Sequence, residues 1–298
     1  KEVYEFIIQE LTENIPNLSE EVNNEYYGRF NKWAGYTLLA KMYLNSEIFS
    51  DGTHKDYDKC IEACNKVLEC GKYSMETVRK NVFVTNNENS KEIIFALPFD
   101  ETYVTDWNAF DFHMYSLQPE NQATYNFKAT PWGGACVIPQ YIESFDPDDQ
   151  RLKDDFISGP QYDKNGGVLY CTMGNMKGKP LDYVNKVNSI DDSDENQGWR
   201  WGKFEYAEGI TNRLSNDFPL LRYADVYLMK AEALLRTGHA DEAAKLVTKV
   251  RERNFTEHPA KAIVTGEQLQ ETSCYDYGRR DNVKSTHDHA IIQYGRML

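Results

Sequence analysis

No stretch of this 298-residue chain approaches the roughly 20 consecutive apolar residues that a membrane-spanning helix needs, so no segment reads as one. Positive charge is in short supply: 33 Lys and Arg stand against 47 Asp and Glu, a formal charge of −14. A surface this acidic repels phosphate backbones and anionic headgroups, so nucleic acid and bare membrane are poor partners. It names no partner, because acidic surfaces commonly serve only solubility. Catalytic signatures are absent too: there is no Gly-x-Ser-x-Gly, no Walker loop and no His-Glu-x-x-His, and nothing calls for a cofactor. Nor does the start resemble a signal peptide, since Lys1 to Ile15 mixes Glu and Gln into its apolar positions. Targeting sequence is therefore expected to be removed or to lie outside this chain, unless the protein is cytosolic.

Cysteine is scarce, and six Cys permit three disulfides without requiring any. Cys60 and Cys64 fall on an apolar stripe, with Cys70 near the end of the same expected helix, which reads as small buried hydrophobes rather than bonded pairs. Cys136, Cys171 and Cys274 stand alone. What the chain has in abundance is aromatic: 20 Tyr, 14 Phe and 5 Trp, many in segments without periodicity. Two uses fit. Long loops need amphipathic residues that pack on a core and keep a wet polar tip, and sugar rings stack their C–H faces on aromatic faces.

Helical periodicity is strong at both ends. Tyr4, Ile7, Ile8, Leu11 and Ile15 form one stripe, closed by Pro16; Trp33, Tyr36, Ala40, Tyr43 and Leu44 form a second. Tyr57, Cys60, Ile61, Cys64, Val67 and Leu68 form a third, ended by Gly71 in a left-handed cap. Ile93-Ile94-Phe95 reads as a short buried strand halted by Pro98. From Asp100 to about Asn216 periodicity fades among Gly, Pro and acidic clusters. A stretch this long is not one structureless loop in a compact domain, so short helices and strands joined by ordered loops are expected, and binding function with them. Helix returns after Pro219, with Leu220, Leu221, Ala224, Tyr227, Leu228, Ala231, Leu234 and Leu235 in register, Asn216 or Asp217 as its cap and Gly238 at its end. Ala240, Ala243, Ala244, Val247 and Val250 line the next helix.

The segment AEALLRTGHADEA, Ala231 to Ala243, has the mechanics of a tetratricopeptide hairpin: two small residues let antiparallel helices approach, and Gly238 makes the turn. Ala40 and Ala63 repeat the device across a longer turn, Ser50-Asp51-Gly52-Thr53, although ordinary helical hairpins would look similar. The expected fold is all-α: tetratricopeptide-type hairpins over 1–75 and 217–254, with a loop-rich, ligand-binding insertion carrying short strands over 100–216, in one domain across 1–298.

Several runs together resemble the SusD/RagB family of nutrient-binding outer-membrane lipoproteins. The strongest is SNDFPLLRYADVYLMKAEA, Ser215 to Ala233. Supporting runs are Tyr27-Gly28-Arg29 leading to Ala40-Lys41-Met42-Tyr43-Leu44, then Cys70-Gly71-Lys72-Tyr73-Ser74, and Tyr141 to Arg151. Family members are longer and start with a signal peptide and a lipidated Cys, so this chain is expected to be an internal portion, with some of the family's aromatic binding residues upstream of Lys1. The resemblance implies a SusD-like fold and a surface-exposed lipoprotein of the cell outer membrane, its anchor outside this chain. It also implies a SusC-like, TonB-dependent transporter as partner and a glycan as ligand. An oligopeptide receptor of the same family, or a cytosolic tetratricopeptide scaffold, are the alternatives.

The candidate ligand residues are aromatic. Trp132 lies in Pro131-Trp132-Gly133-Gly134, where the glycines allow a turn that projects the indole. Trp199 and Trp201 flank Arg200; in an extended piece both Trp share a face and Arg200 points away. An indole can stack on a ring while Arg200 forks to adjacent hydroxyls; equally, these Trp can anchor loops to the scaffold. Paired carboxylates for glycoside cleavage, about 5–9.5 Å apart, are not singled out: Asp146-Pro147-Asp148-Asp149 before Arg151 reads as a capped turn with a local ion pair. No enzyme is expected. His287-Asp288-His289 and the run Asp191 to Glu195 read as solvated segments rather than metal sites.

Overall fold

The computed structural model describes residues 1–104, 110–188 and 193–271, and beyond them only the backbone of four short strands. The helices are α1 (Glu2–Asn14), α2 (Lys32–Leu44), α3 (Ser46–Phe49), α4 (Tyr57–Leu68), α5 (Phe112–Ser116), α6 (Gln122–Tyr125), α7 (Pro139–Glu143), α8 (Arg151–Asp154), α9 (Tyr223–Arg236), α10 (Ala240–Arg251) and α11 (Gly266–Gln270). The strands are β1 (Ile93–Leu97), β2 (Phe156–Ile157), β3 (Gly159–Pro160), β4 (Asp182–Tyr183), β5 (Arg200–Trp201) and β6 (Phe218–Arg222), then β7 (Ser273–Asp276), β8 (Arg279–Arg280), β9 (Val283–Lys284) and β10 (Ile291–Tyr294). Strands pair antiparallel in twos: β1 with β6, β2 with β5, β3 with β4, β7 with β10 and β8 with β9. No helix among the described residues is long and apolar enough to cross a membrane.

The helices pack in a row, α2 on α4, α4 on α9 and α9 on α10, so the two hairpins stack although the insertion separates them in sequence. Asn31 starts α2 by accepting the Ala34 N–H at 2.9 Å. Ala40, Cys60, Ala63 and Cys64 are buried between the helices, and Cys60 and Cys64 are thiols. Gly35 lets the chain after α1 approach, because a Cβ there would lie 2.8 Å from Ile15 Cγ1. In the second hairpin Ala231 and Ala243 are fully buried in one cluster. Gly238, at φ +85°, closes α9: its N–H donates to Leu235 O and that of His239 to Leu234 O, which satisfies carbonyls the helix end would leave open.

One sequence expectation is corrected. The helix of the second hairpin begins at Tyr223, not at Leu220, because Phe218–Arg222 is β6, pairing Ile93 with Arg222 and Phe95 with Leu221. Asn216 and Asp217 are not its caps. Asn216 donates to the carbonyls of Phe83 and Glu205. Asp217 accepts the Tyr27 hydroxyl at 2.6 Å and the Phe99 N–H at 2.9 Å. Asp225 caps α9 instead, accepting the Arg222 N–H at 3.0 Å.

Beside this ladder sits Glu92, whose side chain is wholly buried. It accepts from Arg253, from Arg222 at 3.3 Å and from the Glu76 N–H at 2.9 Å, while its carbonyl accepts the Tyr223 N–H. Removing one partner of such a group leaves uncompensated buried charge. Glu92→Ala should therefore cost about 3–5 kcal/mol in denaturant unfolding. Ala231→Leu should overpack the α9–α10 contact and cost about 1–3 kcal/mol; unchanged stability in either variant would contradict the packing described.

Candidate functional site

The insertion has its own core, rich in aromatics. Phe110 stands edge-to-face with Phe204 at 4.7 Å and with Phe218 at 5.7 Å between ring centroids, and Phe83, Phe127, Leu117 and Leu214 fill around them. The short helix α5 rides on this core. His113 and Met114 point inward, and His113 Nε2–H donates to Thr211 O at 3.0 Å while its ring packs against Phe127. Phe112 and Tyr115, three residues apart, share the outer face and are 43% and 52% exposed.

Residues 131–135 run alongside α5. The N–H groups of Trp132, Gly133 and Ala135 donate to the carbonyls of Met114, Leu117 and Tyr115 at 2.8–2.9 Å. Gly133 is at φ +75°, and a Cβ there would sit 2.7 Å from Gln118 Oε1, so this turn needs glycine. The turn projects Trp132 outward, 52% exposed, edge-to-face with Tyr115 at 4.8 Å.

Trp132 stands at the lip of a cleft of about 590 Å³. One wall is the 132–138 segment; the other is the Met173–Asn175 tip of a ribbon, with Asp194, Glu195 and Gln197 between them. Glu195, nearly buried, accepts the N–H groups of Thr172 at 3.0 Å and Met173 at 2.9 Å, fixing that tip. Burial pushes its carboxyl upward; the Met173 and Thr172 N–H groups oppose the rise and neighbouring Glu120 adds to it. Arg200 lies in the floor, 2% exposed. Its guanidinium donates to the carbonyls of Glu195 (2.9 Å), Gln197 (3.1 Å), Ala135 (3.4 Å) and Gly134 (3.5 Å), and lies 4.8 Å over the Tyr183 ring. One side chain thus ties the 132–138 wall to the 195–197 stretch between the walls.

Of the four residues named from sequence, the cleft gathers Trp132 and Arg200. Trp199 and Trp201 lie on the opposite side of their strand from Arg200, as period-two alternation requires. Trp199 is half-buried near Phe156, at 6.3 Å, and Trp201 is 47% exposed near Phe112, at 6.1 Å. Sequence reasoning missed Phe112 and Tyr115, which extend the exposed aromatic surface from Trp201 toward Trp132. Their signal was the spacing in Phe112-His113-Met114-Tyr115, two aromatics one helical turn apart around an inward pair. Asp146–Arg151 is the expected capped turn: Asp146 accepts the Asp148 N–H, and Arg151 pairs with the buried Asp149 at 2.6 Å. Asp191, Asp192, Cys274 and His287-Asp288-His289 lie outside the described residues, and among the described ones no three His, Cys, Asp or Glu converge as a metal site would need. A second concavity of about 310 Å³ lies between α1 and the start of α4, but its Tyr4 ring is buried with the hydroxyl on Asp56.

Comparison with known proteins agrees with this architecture. The SusD family profile matches residues 91–272, more than half of the chain. The chain belongs to the SusD family. A SusD-like protein of Bacteroides ovatus is 26% identical over 243 residues, covering 79% of this chain and 40% of the relative. The starch-binding protein SusD of Bacteroides thetaiotaomicron is 22% identical, covering 94% and 55%. The chain therefore spans only about half the length of such relatives. Among solved structures, a SusD superfamily protein from Bacteroides vulgatus superposes with TM-score 0.65 at 19% identity, covering 94% of this chain and 58% of that one. Surface glycan-binding protein A from Bacteroides thetaiotaomicron, in complex with laminarihexaose, superposes with TM-score 0.62 at 16% identity, covering 87% and 57%. The fold is the helical SusD fold with short strand insertions.

The anchor under the SusD-family chain's aromatic surface is testable by pH. Burial holds the His113 imidazole below its ordinary 6.5, so the unfolded chain takes up a proton that the folded chain refuses. The stability His113 contributes is present above about pH 6.5 and is lost as pH falls below it. His113→Gln keeps a donor for Thr211 O without the titration. The melting-temperature gap between wild type and His113→Gln should shrink from about pH 7.5 to about pH 5.5; a constant gap would contradict this burial.

Proposed function

We propose that this chain forms part of a non-catalytic cell-surface protein that captures a glycan at the Trp132 cleft. The glycan then passes to a SusC-like, TonB-dependent outer-membrane transporter. In this reading the protein is held at the outer membrane by a lipid anchor outside the chain, and the loop-rich region 100–216 is its binding face. The observation that carries the reading is the half-exposed Trp132–Tyr115 pair at the lip of a polar cleft. A glycan's hydroxyls exchange water hydrogen bonds for protein ones at small net gain, about 0.5–1.5 kcal/mol each. Apolar contact with a ring face must then supply much of the affinity, and two open aromatic faces beside amide and carboxylate acceptors meet both needs. The names of the starch-binding relative and of the glycan-binding structural neighbour support the same ligand class.

Within this reading Trp132 contacts ligand, with Tyr115 beside it; Trp201 can extend the surface through Phe112. Arg200 acts by positioning the walls rather than by forking to sugar hydroxyls, and Trp199 anchors its loop. Glycoside cleavage is not favoured by the two carboxylates of the described cleft lining, because Glu195 holds the Thr172–Met173 backbone and so leaves Asp194 without a second free carboxylate to work with.

A glycan and peptide array on the protein tests the ligand class, with peptide binding alone favouring an oligopeptide receptor. For the cognate glycan, Trp132→Ala should weaken binding about tenfold, since roughly 60 Å² of stacked surface at ~25 cal/mol per Å² is about 1.5 kcal/mol. Its melting temperature should hold, whereas Trp199→Ala and Arg200→Ala should lower theirs. Wild-type affinity in Trp132→Ala and Tyr115→Ala would remove the site from this cleft.

A further inference from the structure

We infer that the Trp132 cleft admits uncharged or amine-bearing glycans and excludes acidic ones such as uronates and sulfated sugars. This rests on the glycan reading of the cleft given above. Among the described residues, the lining holds two carboxylates, Asp194 and Glu195, and a single cation, Arg200. That cation lies beneath the surface, 2% exposed and turned to the carbonyls of Glu195 and Gln197, so it presents no exposed partner for a ligand anion. Two carboxylates against one cation leave the described lining with one negative charge in excess.

Asp194 is the carboxylate within a ligand's reach, partly exposed at the cleft. Among the described residues its side chain accepts two long amide N–H bonds, from Gln197 at 3.3 Å and Asn175 at 3.4 Å. A carboxylate has about four acceptor positions, so it keeps capacity for sugar hydroxyls or for an ammonium group. A uronate or sulfate seated against Trp132 would shed water and meet Asp194 with no exposed cation of the described lining to pair with, and like-charge juxtaposition is an effective way to reject a partner. The overall charge of −14 acts in the same direction at longer range. The stacking faces of Trp132 and Tyr115 do not distinguish these ligands, so selection between them falls to charge.

The test is calorimetric titration of the 298-residue chain with laminarin, amylose and xyloglucan. Each is used native, hydroxyethylated, carboxymethylated and aminoethylated at matched low substitution, with hydroxyethyl as the neutral control for bulk. For whichever backbone binds, the hydroxyethyl form should bind like the native glycan and the aminoethyl form at least as tightly. The carboxymethyl form should bind about tenfold or more weakly, as expected for an uncompensated like charge. Asp194→Asn should narrow that gap, and so should added salt. Equal binding of carboxymethyl and hydroxyethyl forms, or a gap that Asp194→Asn leaves intact, would overturn the charge selection while glycan capture stood. Failure of every native glycan, here and on a broad neutral array, would remove the glycan reading and this inference with it.

Discussion

Glu92 is the side chain on which the two ends of the molecule depend. It sits just before β1, and through it the chain that leaves the first hairpin is joined to the end of β6 by Arg222 and to the segment beyond α10 by Arg253. A buried carboxylate is tolerated only when its acceptor sites are filled, and here two guanidiniums and the Glu76 N–H fill them. The β1–β6 ladder runs from the same point, and Asn87 reinforces it by exchanging hydrogen bonds with the backbone of Asp217. These contacts turn a long excursion into a closed loop, so that α9 lands on α4. Without them the excursion would carry the entropy of an open loop, and the apolar faces of α4 and α9 would have no fixed partner.

The insertion is organised by the same physics at smaller scale. Its core is built from interlocked phenylalanines, and α5 separates an inward face, His113 and Met114, from an outward one, Phe112 and Tyr115. The cleft beside it has little regular structure in its walls, so its shape depends on side chains that satisfy backbone groups. Arg200 fills two carbonyls of the 132–138 wall and two of the 195–197 stretch between the walls, and Glu195 takes the N–H groups of Thr172 and Met173 at the other wall. These polar residues are buried and committed to backbone, whereas the exposed surface around them is aromatic. That division fixes the backbone beneath an irregular surface on which Trp132 and Tyr115 stand edge-to-face.

The abundance of aromatics has two answers within one molecule. Phe83, Phe110, Phe127, Phe204 and Tyr206 are buried and hold the insertion together. Phe112, Tyr115, Trp132 and Trp201 are close to half exposed and line its outer surface. Composition does not separate these groups, because Phe and Tyr appear in both; the fold decides which rings turn into the core and which turn out.

From the amino-acid order alone came the helical stripes, the small residues Ala40, Ala63, Ala231 and Ala243 at the helix contacts, the glycine that ends α9, the buried strand at Ile93–Phe95 and the family. Each is a local pattern whose meaning survives without neighbours: a period of 3.6, a missing Cβ or a run of apolar residues. The start of α9, the role of Arg200 and the makeup of the cleft were decided only in three dimensions. Leu220 and Leu221 fit a helical stripe, yet β1 offered their backbone a partner, and the pairing displaced the helix start to Tyr223. Arg200 was correctly placed opposite Trp199 and Trp201 by alternation, but no local pattern says that four distant carbonyls converge on it. A guanidinium beside solvent and one enclosed by carbonyls have the same sequence; enclosure is set by how loops from 131–135 and 195–197 meet, and that is a property of the fold.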